Sequence, residues 1–155
     1  LSEGVSFKID WKWRVIATCF WIGYFPFAPA TACSFVVTLF IWLTGALDSS
    51  LYLLAAVAVT ALGVAASSIA ERQFGRDGRP IVIDEVAGQM IAFFAHPPSA
   101  ATFIGGFLLF RFFDIVKPFP ANRSQKLMSG VGVMADDVVA GIYANLALWA
   151  LVALL

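Results

Sequence analysis

The chain has 155 residues, 61% hydrophobic and 13% charged, with ten basic and ten acidic side chains that cancel. About a quarter of the residues in a soluble globular protein are charged, so this composition lies well outside soluble usage. Zero net charge provides no whole-chain attraction to nucleic acid. The length suits one domain, residues 1–155, with room for roughly four or five spans of about 20 residues.

In chain order, residues 13–47 form a long apolar stretch broken at Phe25-Pro26-Phe27-Ala28-Pro29. Two prolines three apart do not fit an unbroken helix. The reading is a short helix near 12–24, an irregular loop, and a helix near 31–46. Residues 45–50 form a turn and 51–70 a clean span. Residues 71–79 read as a polar, charged loop. A shorter apolar helix runs over 81–95 from near Asp84, and 96–99 is a turn. Residues 100–116 form a span that Pro118 and Pro120 end. Residues 121–135 are a polar, glycine-containing loop with room for a short helix, and 136–155 form the last span. The fold expected is all-α: a polytopic membrane helical bundle with a broken or re-entrant N-terminal segment. The opening residues lack the pattern of a signal peptide. Cys19 and Cys33 sit in apolar surroundings and read as small buried hydrophobes. Neither starts a Cys-x5-Arg phosphate loop, because Phe25 and Leu39 hold the required positions.

The charges are distributed unevenly. Lys8, Lys12 and Arg14 precede the first apolar run; Arg72, Arg76 and Arg79 follow the second span; Lys117, Arg123 and Lys126 follow the fourth, with Arg111 near its end. The turns at 45–50 and 96–99 carry only Asp48 and His96. If the broken first segment crosses once, every Lys and Arg lies on one side, which the positive-inside rule makes cytoplasmic.

The same topology gathers the acids. Asp84 and Glu85 begin one helix, Asp114 ends the next, and Asp136 and Asp137 begin the last. Carboxylates and cations at one membrane face suit phosphoester chemistry: oxygen ligands hold Mg²⁺, and Lys or Arg neutralises phosphate. The acids at 84, 85, 136 and 137 have a structural alternative as helix N-terminal residues. Asp114 sits at a helix C-terminus among Phe112, Phe113 and Ile115, where an unpaired charge is costly; its alternative is an ion pair with Arg111. The glycines at 130 and 132 read either as a phosphate-approaching turn or as a flexible loop. Gly88, Gly105, Gly106 and Gly141 read as helix-packing positions. The lone histidine, His96, falls at the other end, which excludes a phosphohistidine route and a Ser-His-Asp triad.

The runs IVIDEVAGQM at 81–90, FRFFDIVKPFP at 110–120 and GVGVMADDVVAGI at 130–142 resemble the three acidic signatures of phosphatidylglycerophosphatase A, in that family's order. The resemblance covers about residues 20–150. It implies a bacterial enzyme with an all-helical fold shared with a soluble relative, hydrolysing phosphatidylglycerophosphate to phosphatidylglycerol and phosphate with Mg²⁺. Asp84 and Glu85 match the first signature, Arg111, Asp114, Lys117 and Pro118 the second, and Asp136 and Asp137 the third. Pro29-Ala30-Thr31-Ala32-Cys33-Ser34 stands where the family has Pro-Gly-Thr-x-Gly-Ser, with Thr31 and Ser34 left as hydrogen-bond donors.

On this reading Asp84, Glu85, Asp114, Asp136 and Asp137 are the catalytic acids. Asp84, Asp114 and Asp137 lead as Mg²⁺ ligands, and Glu85 or Asp136 serves as second-layer ligand or general base. Arg111, Lys117, Arg123, Thr31 and Ser34 bind the phospholipid substrate at the cytoplasmic face of the inner membrane. Direct water attack and an aspartyl-phosphate route both stay open. The rivals are a phosphatidyltransferase-like enzyme, a small ion or solute transporter using the acids as a relay, and a non-enzymatic assembly factor.

Overall fold

The computed structural model describes residues 8–45, 49–124 and 127–154. Lys126, Asp48 and the other readings that fall on the remaining positions lie outside the described residues. The described residues form seven α-helices and no strand: α1 Trp11–Ala17, α2 Pro29–Thr44, α3 Ser49–Phe74, α4 Ile83–Phe93, α5 Ala100–Val116, α6 Ala121–Ser124 and α7 Ser129–Ala153. The all-helical expectation holds.

Four helices depart from the sequence reading in ways that bear on the site or its approach. Helix α1 is capped by Asp10, whose Oδ1 accepts the Lys12 N–H at 2.9 Å. It stops at Ala17 rather than near 24, because Cys19, Phe20 and Trp21 all take left-handed backbone angles before a single 3₁₀ turn at Ile22–Tyr24. Helix α2 starts two residues early, with Pro29 in its first turn, where a missing N–H costs nothing. Helix α3 does not end at 70 but carries Glu71, Arg72 and Gln73, all good helix formers, out to Phe74. Helix α7 begins at Ser129 rather than 136, so Asp136 and Asp137 lie two turns inside it.

Helices α4 and α7 form the centre. α7 packs against α3, α4, α5 and α6, and α4 also against α2, α3 and α5. Most buried positions of α7, namely Gly130, Val133, Met134, Asp137, Ala140, Gly141, Ala144 and Leu148, form a 3.6-residue stripe, with Gly132 and Asp136 buried beside it. Small residues let the helices close up. Phe110 fills the notch left by Gly88, Phe93 that of Gly106, and the Met134 thioether that of Gly63. A Cβ on Gly141 would overlap the Gly88 carbonyl oxygen and come within 3.1 Å of Ile91 Cβ. Gly141→Ala is therefore expected to destabilise the bundle by about 1–3 kcal/mol, outweighing the ~1 kcal/mol alanine regains in helix propensity. A lowered thermal midpoint in detergent checks this; a raised one would show that α4 and α7 separate freely.

Asn145 of α7 ends α4 by donating to the carbonyls of Ile91, Ala92 and Phe94 at 3.2, 3.1 and 2.8 Å, satisfying groups that a helix end leaves orphaned. Ser99 and Thr102 form a reciprocal capping box that starts α5 where the sequence put it. His96 lies in the turn between α4 and α5, with Nε2 3.3 Å from the Asn145 carbonyl and its ring against Trp149. Both cysteines are free thiols, Cys33 fully buried.

By length and composition, α3 and α7 are apolar enough to cross a membrane. Large apolar side chains are exposed along the bundle, among them Phe40, Leu43, Leu54, Leu108, Leu146 and Trp149.

Candidate active site

The acids meet at one end of the bundle. The N-terminus of α4 brings Asp84 and Glu85, the last turn of α5 brings Asp114, and the third turn of α7 brings Asp136 and Asp137. With Lys117, Pro29, Ala30 and the loop residues Asp77, Gly78 and Arg79, they line a cavity of about 340 Å³. A second cavity of about 270 Å³ at the other end of α4 carries His96 but no carboxylate among its described lining residues.

Within the acidic cavity the tightest group is Glu85, Asp114 and Asp137, each offering one carboxylate oxygen, with those oxygens all within 4.8 Å of one another. Sequence reasoning preferred Asp84 to Glu85 here. The difference is helix phase: α4 buries 85, 88, 89 and 92, so Glu85 points into the bundle. Asp84 lies on the same cavity wall, with Oδ1 accepting the Glu85 N–H at 3.0 Å. The spacing of Gly88, Gln89 and Ala92 from Glu85 was the available signal.

Glu85 is held from two sides. The Ser34 hydroxyl donates to its Oε2 at 2.5 Å, and Arg111 Nη1 lies 2.6 and 2.7 Å from its two oxygens. The same Arg111 nitrogen is 3.0 Å from Asp114 Oδ2. Behind them, Gln89 Nε2 donates to Thr38 Oγ1 at 2.5 Å, and Thr38 donates to the Ser34 carbonyl at 2.8 Å. This buried polar chain fixes the α2–α4 contact under the site, because each broken link would leave a desolvated group unpaired.

Lys117, in a left-handed conformation just past α5, is ion-paired with Asp136. Burial alone would push the lysine ammonium down. The bond to Asp136 and the charges of Asp136, Asp114 and Asp137 outweigh burial and hold it above the usual lysine range. Lys117 therefore stays charged in the cavity wall.

Two carboxylates remain incompletely bonded. Asp136 and Asp137 are only 4% and 2% exposed, yet Asp136 Oδ1 and Asp137 Oδ2 have no hydrogen-bond partner among the described residues. Buried polar atoms are normally satisfied, and exceptions ask for an ion, water or ligand. Oxygen donors of this kind, in this number, fit a hard divalent cation such as Mg²⁺.

Three predicted substrate binders are placed differently from expectation. Ser34 is fully buried, and its hydroxyl is engaged by Glu85. Arg123 stacks over the Phe119 ring, 5.1 Å from its centroid, and is not part of the cavity lining. Thr31 sits in the first turn of α2 beside Ala30, also outside the lining. Gly130 and Gly132 belong to the buried face of α7, and the Gly130 N–H donates to Ser68 Oγ at 3.1 Å. They are packing residues, which corrects both the phosphate-turn and flexible-loop readings. Asp77 and Arg79 were missed as lining residues. They lie in a loop without periodicity, and the one signal was an acid seven positions before Asp84.

The family model for phosphatidylglycerophosphatase A matches residues 15–152, which takes in every residue of this cavity. The chain belongs to the phosphatidylglycerophosphatase A family. The chain is therefore a phosphatase. Among curated relatives, it is 31% identical to the phosphatidylglycerophosphatase A of Escherichia coli K12 over 138 residues, spanning 87% of this chain and 80% of that one. A Haemophilus influenzae phosphatidylglycerophosphatase A is 46% identical over 77 residues, 48% of this chain and 47% of its own. A Bacteroides thetaiotaomicron protein, provisionally named a phosphatidylinositol-3-phosphatase, is 37% identical over 83% of this chain and 86% of its own. No solved structure shows a significant match. Within the matched range, α4, α5 and α7 each bring acids to the cavity, whose wall is completed by Pro29, Ala30 and the loop at 77–79.

Proposed function

We propose that the chain hydrolyses the phosphate monoester of phosphatidylglycerophosphate, giving phosphatidylglycerol and inorganic phosphate, with Mg²⁺ held by Glu85, Asp114 and Asp137. The observation that carries this reading is the convergence of those three carboxylates, from three helices, inside the segment that the family model matches. A bound Mg²⁺ would polarise a phosphoryl oxygen and offset the charge of the phosphate.

The chain's own residues do the rest. Arg111 and Ser34 fix Glu85 in one orientation, so that its position is set before substrate arrives. Lys117 puts a permanent positive charge on the cavity wall, beside Asp136, for the phosphate dianion. In the reaction a water oxygen bonds to phosphorus, the P–O bond to the glycerol breaks, and the departing alkoxide is protonated. The water's proton has carboxylate acceptors around the cavity.

The membrane reading is of one polytopic, membrane-embedded domain in a bacterial inner membrane, with the cavity facing the cytoplasm. Several contacts support it by drawing the cations to the cavity end. Arg14 and the Ile9 N–H both bond Gln73 at the end of α3, Arg76 reaches the Leu127 carbonyl, and Arg79 reaches the Pro26 carbonyl. Lys117 and Arg123 lie at the same end, which the positive-inside rule makes cytoplasmic. The irregular segment at 18–28 is then a re-entrant or interfacial element, since left-handed residues and prolines break it and Trp21, Phe25 and Phe27 are exposed.

The Bacteroides relative keeps a second substrate in view, phosphatidylinositol 3-phosphate, also a phospholipid head-group monoester. Purified protein with Mg²⁺ is expected to release phosphate from phosphatidylglycerophosphate and to stop when EDTA is added. Release from phosphatidylinositol 3-phosphate alone would exchange the substrate assignment. Activity unchanged by EDTA would remove the cation from the site.

A further inference from the structure

Sequence reasoning assigned three cations to the substrate, and the folded chain commits each of them elsewhere. Arg111 Nη1 pairs with Glu85 and Asp114. Lys117 is ion-paired with Asp136. Arg123 lies over the Phe119 ring, outside the cavity lining. Arg79 differs from all three. It lines the cavity, and no carboxylate among the described residues pairs with it. Its Nη2 donates to the Pro26 carbonyl at 2.5 Å. A guanidinium carries five N–H donors in a planar fork, so most of them remain for a ligand.

Arg79 is also held in place. The Pro26 carbonyl anchors its head. Its backbone is pinned next door, where the Pro80 carbonyl packs against Gly23 so closely that a Cβ there would lie 2.0 Å from its oxygen. Two residues further on, the Val82 N–H bonds the Ala17 carbonyl at 2.9 Å. These contacts tie the α3–α4 loop to the segment at 18–28, which leads into Pro29 and Ala30 of the same cavity wall. Arg79 is exposed while lining the cavity, which puts it at the rim, where a lipid head group arrives.

We propose that Arg79 grips the phosphate monoester of the substrate, donating from its guanidinium to the non-bridging phosphoryl oxygens. This rests on the phosphate-monoester reading given above. Paired N–H donors match two phosphate oxygens at once. Lys117 adds charge from the wall while it keeps Asp136; Arg79 makes the direct contact. The non-bridging oxygens are charged before and during hydrolysis, so this contact stabilises bound substrate and transition state alike. It therefore belongs to KM more than to kcat.

The competing reading is a solvated arginine that only marks the cytoplasmic side. Arg76 supplies the comparison: it is exposed on the same loop, reaches the Leu127 carbonyl at 3.4 Å, and is not in the cavity lining. The test is steady-state hydrolysis by the detergent-purified full chain at saturating Mg²⁺, with inorganic phosphate as competing inhibitor. The substrate is whichever of the two phospholipid monoesters wild type hydrolyses. Arg79→Gln keeps a donor for Pro26 and removes the charge. It is expected to raise both KM and the inhibition constant of phosphate about 10- to 100-fold, with kcat and the thermal midpoint close to wild type. Arg79→Lys should recover part of both, and Arg76→Gln should move neither. An unchanged KM in Arg79→Gln, or an equal rise in Arg76→Gln, overturns the inference. So does a raised KM with unaltered phosphate inhibition, which would put Arg79 on the phosphodiester of the lipid instead. A lowered midpoint and kcat at unchanged KM would make Arg79 a structural residue and also overturn it. In each of these cases the phosphatase reading stands. Wild type that releases phosphate from neither lipid overturns that reading, and this inference with it.

Discussion

Asp137→Asn is expected to lower kcat by a factor on the order of 10³ or more, since a cation stabilises the phosphoryl transition state by several kcal/mol. The argument starts from burial. Asp137 is 2% exposed, with Oδ2 unpartnered among the described residues, and it belongs to the closest carboxylate trio. Asparagine keeps the shape but replaces an accepting oxygen with an N–H₂ that cannot ligate a cation. Stability should move the other way. Buried like charges repel, so removing one is expected to leave the thermal midpoint equal or higher in the absence of Mg²⁺. Asp114→Asn divides the two readings of that residue. A ligand role predicts the same collapse in kcat. A plain ion pair with Arg111, 3.0 Å away, predicts near-normal kcat and a lowered midpoint. Full activity in the Asn variants at 84, 114 and 137 together would remove the acids from the chemistry.

Much of this site was legible because the charges are rare. In a chain with 13% charged residues, an acid at the end of an apolar helix is conspicuous. Alternating helix direction then brings 84–85, 114 and 136–137 to one end without any knowledge of side-chain geometry. What could not be read was decided by tertiary contacts. Helix α7 starts at Ser129 because Gly130 fits against Val64 and Ser68 of α3, so a segment that looks like a loop in isolation is helical in place. Glu85 replaces Asp84 in the tight trio because of the rotational setting of α4, which adjacent acids in a sequence do not reveal. Asp77 lies in a loop where position depends on anchors at Glu71, Pro26 and Gly23, each remote or irregular.

Arg111→Met is expected to be the most destabilising single substitution at the site, costing about 3–5 kcal/mol. Sequence reasoning gave Arg111 to the substrate phosphate. The structure gives its Nη1 to Glu85 and Asp114, with side-chain exposures of 14% for the arginine and 5% and 13% for the two acids. Methionine fills similar volume but leaves two poorly solvated carboxylates facing each other without a counter-charge. Lysine restores the charge as a single point on a flexible stem and loses the planar arginine head, so Arg111→Lys should recover part of the stability and less of the activity. Mg²⁺ sharpens the test. If the ion binds Glu85 and Asp114, it supplies the missing positive charge, and the midpoint of Arg111→Met should rise more on adding Mg²⁺ than that of wild type. An arginine that instead contacted substrate would show the opposite pattern: an unchanged midpoint, no added response to Mg²⁺, and a loss confined to KM.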